Sequence, residues 1–200
     1  MALIIGLTGS IASGKSTVSS MLTDYHIPVV DADKISRDVV CPGEKAYQQI
    51  VETFGEKILL EDKKIDRKKL GAIIFPDKEK RTQLNEIVHP AVRESMAKLR
   101  EDYIAGGATC VVLDIPLLFE SKQTHLIDKT LVVYVNKATQ LERLMNRDNS
   151  TETEANSRIN SQISLDEKAE MADAVIDNNG TKEQAKEQLD ELLTMWQILK

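Results

Sequence analysis

The feature that most constrains this chain is a strand, a glycine-rich loop and a helix that follow one another near its start. An apolar, β-branched run over residues 3–8 precedes the segment GSIASGKS at 9–16, and helix-forming sequence follows over 17–24. This order is typical of a GxxxxGK[ST] phosphate-binding loop, in which backbone N–H groups and the positive end of the helix dipole face an anion. A Gly/Ser turn with a chance lysine explains the pattern less well, because the motif is complete and stands in its required context.

The loop predicts a site for the phosphates of a nucleoside triphosphate. We expect Lys15 to reach the terminal phosphates and the Ser16 hydroxyl to ligate a magnesium ion that bridges them. The other loop residues expected to bind the nucleotide are Gly9, Ala12, Ser13, Gly14 and Thr17. The motif identifies neither the base nor the reaction.

Short, continuously apolar runs recur between helical patterns, at residues 3–8, 28–31, 109–114, 130–135 and 174–177. Such runs are typical of strands buried on both faces of a parallel sheet that helices cover, so the predicted fold class is α/β. The long segment between the second and third strands carries helical signals and is expected to be an inserted helical subdomain, with Pro90 bending its helix. Residues 138–171 are polar and charged and are expected to form helices over the surface.

Composition limits the possible partners. The 200 residues suit one domain with appendages, and the net charge of -6 argues against a surface broadly committed to nucleic acid or acidic lipid. The cysteines, Cys41 and Cys110, are too few for a disulfide framework and lack metal-ligand spacing. The apolar start has no basic leader and no apolar run reaches membrane-spanning length. We therefore expect a cytoplasmic protein with no nucleic-acid or membrane partner. A monomer or weak homo-oligomer is also expected, although these features do not determine the oligomeric state.

Acidic residues follow two of the predicted strands, and the carboxyl ends of parallel strands open onto the ligand crevice. We expect Asp33 to lie near the transferring phosphoryl group, where a carboxylate can accept the proton of an attacking hydroxyl. Either Asp31 or Asp33 could instead cap the following helix, and the two could divide these duties. Asp114 ends the third strand as a Walker B acid does, so we expect it to hold the magnesium shell; the alternative is a cap on the next turn.

Arginines stand out in the polar segment that follows the fourth strand. Arg143 and Arg147 lie four residues apart and share a helix face, and Arg158 follows them. Above a phosphate loop they suggest a clamp that neutralises charge as the phosphoryl group moves, with solvated surface charge as the alternative. His89 is readily explained as a structural histidine, and Leu117 as part of an apolar wall.

Three other classes of nucleotide-binding protein fit less well. The segment NKAT at 136–139 superficially resembles a guanine-reading NKxD element, but Thr139 stands where the aspartate is required and no DxxG turn follows the third strand. A non-catalytic regulator would need neither Asp33 nor the arginines. A nucleic-acid motor would need a larger body and a basic track. A small phosphotransferase with an acceptor-binding insertion and a lid remains.

The sequence resembles the dephospho-coenzyme A kinase family over nearly its whole length. The phosphate loop is common to many NTPases, whereas the combination of segments in this order is specific. The segments are GLTGSIASGKSTV at 6–18, DAD at 31–33 with Arg37, LN at 84–85 leading to HP at 89–90, DIPLLFE at 114–120, QLERLMNR at 140–147, RINSQ at 158–162, and AD at 172–173 with VIDNNG at 175–180.

This resemblance implies transfer of the γ-phosphoryl group of ATP, with magnesium, to the ribose 3′-hydroxyl of dephospho-coenzyme A. Another small-molecule nucleoside or nucleotide P-loop kinase is the alternative. The resemblance also implies a five-stranded parallel core at 1–32, 103–139 and 172–200, an acceptor-binding helical domain at 33–102 and a lid at 140–171.

The resemblance also implies roles for individual residues. By position, Asp33 is the expected base, and Lys15 and Arg143 are expected to stabilise charge. Thr8 is expected beside the phosphates, and Arg147 and Asn178 are expected to contact the nucleotide. The residues expected to bind the acceptor are Asp31, Asp33, Arg37, His89, Leu117 and Arg158, and those expected to hold the metal are Ser16 and Asp114. Ser10 replaces a glycine that is usual in the family, but it occupies a free position of the loop motif.

Overall fold

The computed structural model describes residues 2–199, which form an α/β fold with five strands. The strands are β1 Leu3–Gly9, β2 Val29–Asp31, β3 Cys110–Asp114, β4 Lys129–Tyr134 and β5 Ala174–Asp177. The α-helices are α1 Lys15–Asp24, α2 Ala32–Asp38, α3 Lys45–Phe54, α4 Arg67–Ile74, α5 Lys78–Ala105, α6 Lys137–Asp148, α7 Glu152–Ile159, α8 Leu165–Glu170 and α9 Lys182–Met195. Short 3₁₀ turns lie at Glu56–Ile58 and Thr124–Leu126.

The strands form one sheet in the order β2-β3-β1-β4-β5. Strand β1 pairs in parallel with β3 and with β4, and β4 pairs in parallel with β5. The register places Leu7 of β1 opposite Asp114 of β3, and Gly9 opposite Val133 of β4. The carboxyl ends of these central strands therefore meet at one edge of the sheet, and the predicted α/β class is confirmed.

The central strands of the sheet are almost completely buried and form the main hydrophobic core. Ile5, Leu7, Val112 and Val133 are fully buried, and the cluster continues into α1 and α9. Helix α9 begins with a capping box, in which the Thr181 hydroxyl accepts from the backbone N–H of Gln184 and the Gln184 side chain accepts from the backbone N–H of Thr181. No helix among residues 2–199 is long and apolar enough to cross a lipid bilayer.

The segment over 137–170 is more firmly packed than its polar sequence indicates. Leu144 of α6, together with Ala155 and Ile159 of α7, forms a buried cluster. Ile11 and Ala12 of the phosphate loop pack against that cluster. The predicted surface helices are therefore anchored by a small apolar core of their own.

The chain divides into two compact units, one containing residues 1–30 and 102–200 and the other containing residues 31–101. The second unit is helical, with a core of Ile50, Phe54, Ile58 and Leu70. Pro90 lies inside α5, which continues as one helix on both sides of it. The inserted segment is thus helical, as its sequence predicts.

Candidate active site

The loop between β1 and α1 is a compact turn built by its own backbone. The Ser13 N–H donates to the Ser10 carbonyl at 3.1 Å, and the Thr17 N–H donates to the Gly14 carbonyl at 2.9 Å. Ala12 and Gly14 both have left-handed backbones, with φ of 62° and 86°. Left-handed residues reverse the direction of successive peptide groups, which is how such a loop forms a concave, anion-binding surface.

Gly14 is required for a second reason, its contact with the end of β5. A Cβ added to Gly14 would collide with the side-chain amide of Asn178. The Asn178 amide donates to the Ser13 carbonyl at 2.8 Å, and its backbone N–H donates to the Tyr134 carbonyl at 2.8 Å. Asn178, expected as a nucleotide contact, is thus buried and is hydrogen-bonded to the backbone of the loop.

Lys15 and Asp114 form an ion pair where the loop meets the end of β3. The Lys15 side chain is 18% exposed and that of Asp114 only 4%. The Thr8 hydroxyl, also predicted beside the phosphates, donates to the Pro116 carbonyl at 3.0 Å. The predicted loop lysine and the predicted Walker B acid are therefore brought together, with Thr8 fixing the turn that follows Asp114.

Three hydrogen bonds join Ser10 and Ile11 of the phosphate loop to the segment over 137–170. The side-chain amide of Gln140 donates to the Ile11 carbonyl at 2.8 Å, and the Ile11 N–H donates to the Gln162 side-chain carbonyl at 3.0 Å. The Ser10 hydroxyl donates to the Ile163 carbonyl at 3.2 Å. Sequence reasoning gave Gln140 and Gln162 no role, because a glutamine in a polar helix carries no signal of the backbone group that it will meet.

The three arginines separate into two groups. Arg143 of α6 lies beside the loop, since a Cβ added to Gly14 would be 3.9 Å from its Nη1. Arg147 and Arg158 both pair with Asp148, the former through its Nε at 2.8 Å. Hydrogen bonds from Arg147 and then Arg158 lower the pKa of Asp148 to about 2. Arg143 therefore lies beside the phosphate loop, and Arg147 and Arg158 share Asp148 as their partner.

Asp31 and Asp33 belong to the second unit, where they do different things. The Asp31 carboxylate caps α2 by accepting from the Lys34 N–H at 2.9 Å. Asp33 lies in the first turn of α2 and is exposed, and its carbonyl accepts from the Ser36 hydroxyl at 2.9 Å. Capping is therefore the task of Asp31, and the carboxylate of Asp33 is not used for it.

The second unit also contains a cavity of about 330 Å³. Its wall is largely apolar, with basic side chains, and its lining includes Arg37, Val40, Ile50, Lys64, Ile65, Arg67, Leu70, Leu84 and Val88. Arg37 is thereby placed at a ligand-sized cavity, whereas His89 lies exposed on α5. Leu117, in the first unit, is 44% exposed in the turn after β3.

Comparisons with known proteins agree with this geometry. The sequence model of the dephospho-CoA kinase family matches residues 3–184. A protein named dephospho-CoA kinase from Oceanobacillus iheyensis is 61% identical over 198 residues, covering 99% of this chain and 100% of the relative.

Solved structures show the same fold. A Thermus thermophilus protein superposes with a TM-score of 0.82 at 30% identity, covering 98% of this chain and 97% of the other. A dephospho-CoA kinase from Campylobacter jejuni superposes with a TM-score of 0.75 at 30% identity, covering 98% of each chain.

Proposed function

This chain belongs to the dephospho-CoA kinase family, and on that basis we propose that it transfers the γ-phosphoryl group of ATP to the ribose 3′-hydroxyl of dephospho-CoA, releasing CoA and ADP. One observation carries the proposal: a complete phosphate loop, with Lys15 paired to Asp114, in a chain matched over its length by a kinase. The predicted resemblance to this family is confirmed by the family match.

The donor phosphates are assigned to the loop. Backbone N–H groups and the start of α1 face an anion there, and Lys15 supplies a positive charge for the terminal phosphates. Arg143, which lies beside Gly14, supplies a second. Negative charge spreads over the γ-phosphoryl group in the transition state. Positive side chains beside the loop stabilise this state more than they stabilise the ground state. The remaining donor contacts in this proposal are Thr8, Gly9, Ala12, Ser13, Ser16, Thr17, Arg147 and Asn178.

Asp33 is assigned as the base that accepts the proton of the attacking hydroxyl. The support is its exposed carboxylate, which the capping interaction of α2 does not consume because Asp31 makes it. A carboxylate can orient an alcohol and accept its proton as the new O–P bond forms.

The acceptor is assigned to the helical segment 33–102, with residues 140–171 as the lid and the rest as the nucleotide-binding core. The cavity of the second unit supports this, since apolar walls with Arg37, Lys64 and Arg67 suit a long ligand that carries both a hydrocarbon-rich arm and anionic phosphates. Asp31, His89, Leu117 and Arg158 complete the proposed acceptor contacts.

Magnesium is part of the proposal. The Ser16 hydroxyl and the Asp114 carboxylate are hard oxygen donors, which is the ligand chemistry that magnesium prefers beside phosphates. When bound there, the ion would neutralise charge on the phosphates. A cytoplasmic location is proposed as well, supported by two unpaired cysteines.

A coupled ADP-release assay with dephospho-CoA, adenosine and AMP as competing acceptors tests this function. We expect turnover with dephospho-CoA, and a product phosphorylated at the ribose 3′ position by phosphorus NMR. Turnover confined to AMP would instead indicate an ordinary nucleoside monophosphate kinase.

A further inference from the structure

A lysine in α8 is buried without any exposure to water, although its helix is short and polar. Lys168 is 0% exposed and lies in the sequence LDEKAE. Moving an ammonium group out of water is costly unless it is paired and hydrogen-bonded. A fully buried lysine therefore needs hydrogen-bond acceptors around its ammonium group, and it fixes the positions of those acceptors in turn.

The partners of Lys168 come from two different loops at the carboxyl edge of the sheet. Its Nζ donates to the Gly9 carbonyl at 3.1 Å and to the Pro116 carbonyl at 3.3 Å, and it pairs with Glu120 Oε1 at 2.9 Å. An ammonium group has three donors and no acceptor, so these contacts use all of it.

The two carbonyls belong to the phosphate loop and to the turn after Asp114. Gly9 is the last residue of β1 and the first of the phosphate loop, and Pro116 follows Asp114 by two positions. Because a peptide group is planar and trans, holding the Gly9 carbonyl also fixes the direction of the Ser10 N–H on its far side. The Pro116 carbonyl also accepts from the Thr8 hydroxyl at 3.0 Å.

Glu120 extends the same network to the segment that carries α7 and α8. Its Oε1 also accepts from the Ile163 N–H at 3.1 Å, and the Ile163 carbonyl accepts from the Ser10 hydroxyl at 3.2 Å. Within residues 2–199, Oε2 of Glu120 is buried and has no hydrogen-bond partner. Lys168 is therefore the cation that this carboxylate pairs with.

We infer that Lys168 is a positioning residue for catalysis: it holds the first peptide of the phosphate loop and the turn after Asp114 in the arrangement that binds ATP. This inference rests on the proposed function, since it concerns the same nucleotide site. Lys168 touches neither substrate nor the reacting atoms; it acts through Gly9 and Pro116.

A purely structural alternative is a buried ion pair with Glu120 that only keeps α8 in place. The positioning role and the purely structural role can be distinguished by removing the charges of both Lys168 and Glu120. Lys168→Met alone leaves the partly buried Glu120 carboxylate without its counter-charge, so we expect a lower melting temperature. Adding Glu120→Gln removes the unpaired charge, and its amide oxygen can still accept from the Ile163 N–H, so we expect stability to return.

The decisive measurement is the dissociation constant of ATP, by equilibrium titration without acceptor, on samples whose melting temperature is measured in parallel. We expect Lys168→Met/Glu120→Gln to bind ATP at least about tenfold more weakly than the unchanged protein, the scale of one lost hydrogen bond from a charged group. In steady-state assays the KM for ATP should rise while the KM for the acceptor stays unchanged. Lys182→Met, at the exposed start of α9, is the matched control.

Recovery of both stability and ATP affinity in the double variant would overturn the inference, because the pair would then be structural only. A double variant that does not fold would also overturn it, since Lys168 would then be a stability residue. Failure of the proposed function has a different signature: the unchanged protein would bind ATP but would not turn over dephospho-CoA.

Discussion

Lys15 and Asp114 form an ion pair at the carboxyl edge of the sheet although 99 positions separate them in the chain. Parallel pairing of β1 with β3 causes this, because it sets Leu7 opposite Asp114 and so brings the end of β3 beside the phosphate loop. The pairing of the strands thus brings the loop lysine and the carboxylate at the end of β3 together.

Lys15→Ala tests the loop assignment. Loss of a charge that contacts the transferring group should lower kcat by roughly two or more orders of magnitude. Because Asp114 is nearly fully buried, we also expect a lower melting temperature, which Lys15→Ala/Asp114→Asn should partly restore without restoring turnover. Near-normal kcat in Lys15→Ala would exclude this loop as the phosphate site.

Asp33→Asn tests the base. The change is nearly isosteric but removes proton-accepting ability, so kcat should fall by about 10² to 10⁴ while the ATP dissociation constant changes little. Asp38→Asn, on an exposed residue at the end of the same helix, is the control and should turn over normally. Asp31→Ala should instead cost about 1 kcal/mol of stability, because it removes the cap of α2. Normal turnover in Asp33→Asn would assign the base elsewhere.

Arg143 is expected to act more strongly on the transition state than on bound ATP. Arg143→Lys keeps the charge but loses the planar guanidinium, so kcat should fall substantially while the ATP dissociation constant stays within a few-fold. Arg143→Ala should be slower still and equally mild in binding. Exposed Lys182→Ala serves as the silent control. Steady-state kinetics with ATP titration decide; unchanged kcat for Arg143→Ala removes this arginine from the mechanism.

Asp148 should make the stability of α6 and α7 sensitive to acid. Its pKa in the folded protein is about 2, lowered by Arg147 and Arg158, whereas an unfolded aspartate has a pKa of about 3.9. A lowered folded pKa gives stability that is present above the unfolded value and is lost as pH falls toward 2. The stability difference between the unchanged protein and Asp148→Asn, measured by urea unfolding, should therefore shrink from pH 6 to pH 3. A constant difference would contradict the pairing.

Cys110 should behave oppositely at alkaline pH. Burial in β3 raises the pKa of its thiol to about 11, so the folded protein keeps the proton after the unfolded chain has released it above about 8.5. Its stabilising contribution is complete below that lower value and is lost as pH rises toward 11. Cys110→Ala should flatten the fall in unfolding free energy over this window under reducing conditions. In the native protein a thiol reagent should label exposed Cys41 first, and fast labelling of both would refute the burial.

Local patterns in the sequence were sufficient to predict the sheet and the loop. The motif at 9–16 depends on neighbours along the chain, and buried parallel strands need continuous apolar runs, so both are visible without a fold. The capping box at Thr181 and Gln184 is equally local, since its two residues are three positions apart. The family resemblance depends on several short motifs that follow one another in a specific order, and each of these motifs is also local.

Only the tertiary structure decided which side chains support the loop. Lys168 and Gln140 contact it from positions more than 100 residues away, and in the sequence they look like ordinary polar residues of helices. The resemblance pointed to Asn178 as a nucleotide contact, but not to its hydrogen bond with the Ser13 carbonyl. Likewise, nothing local separates Arg143 from Arg147, yet one lies beside Gly14 and the other pairs with Asp148. The physical reason is that the energetic contribution of a polar side chain depends on the backbone group or charge that it contacts. Packing between distant elements determines that contact and the burial of the side chain, and the identity of the residue does not.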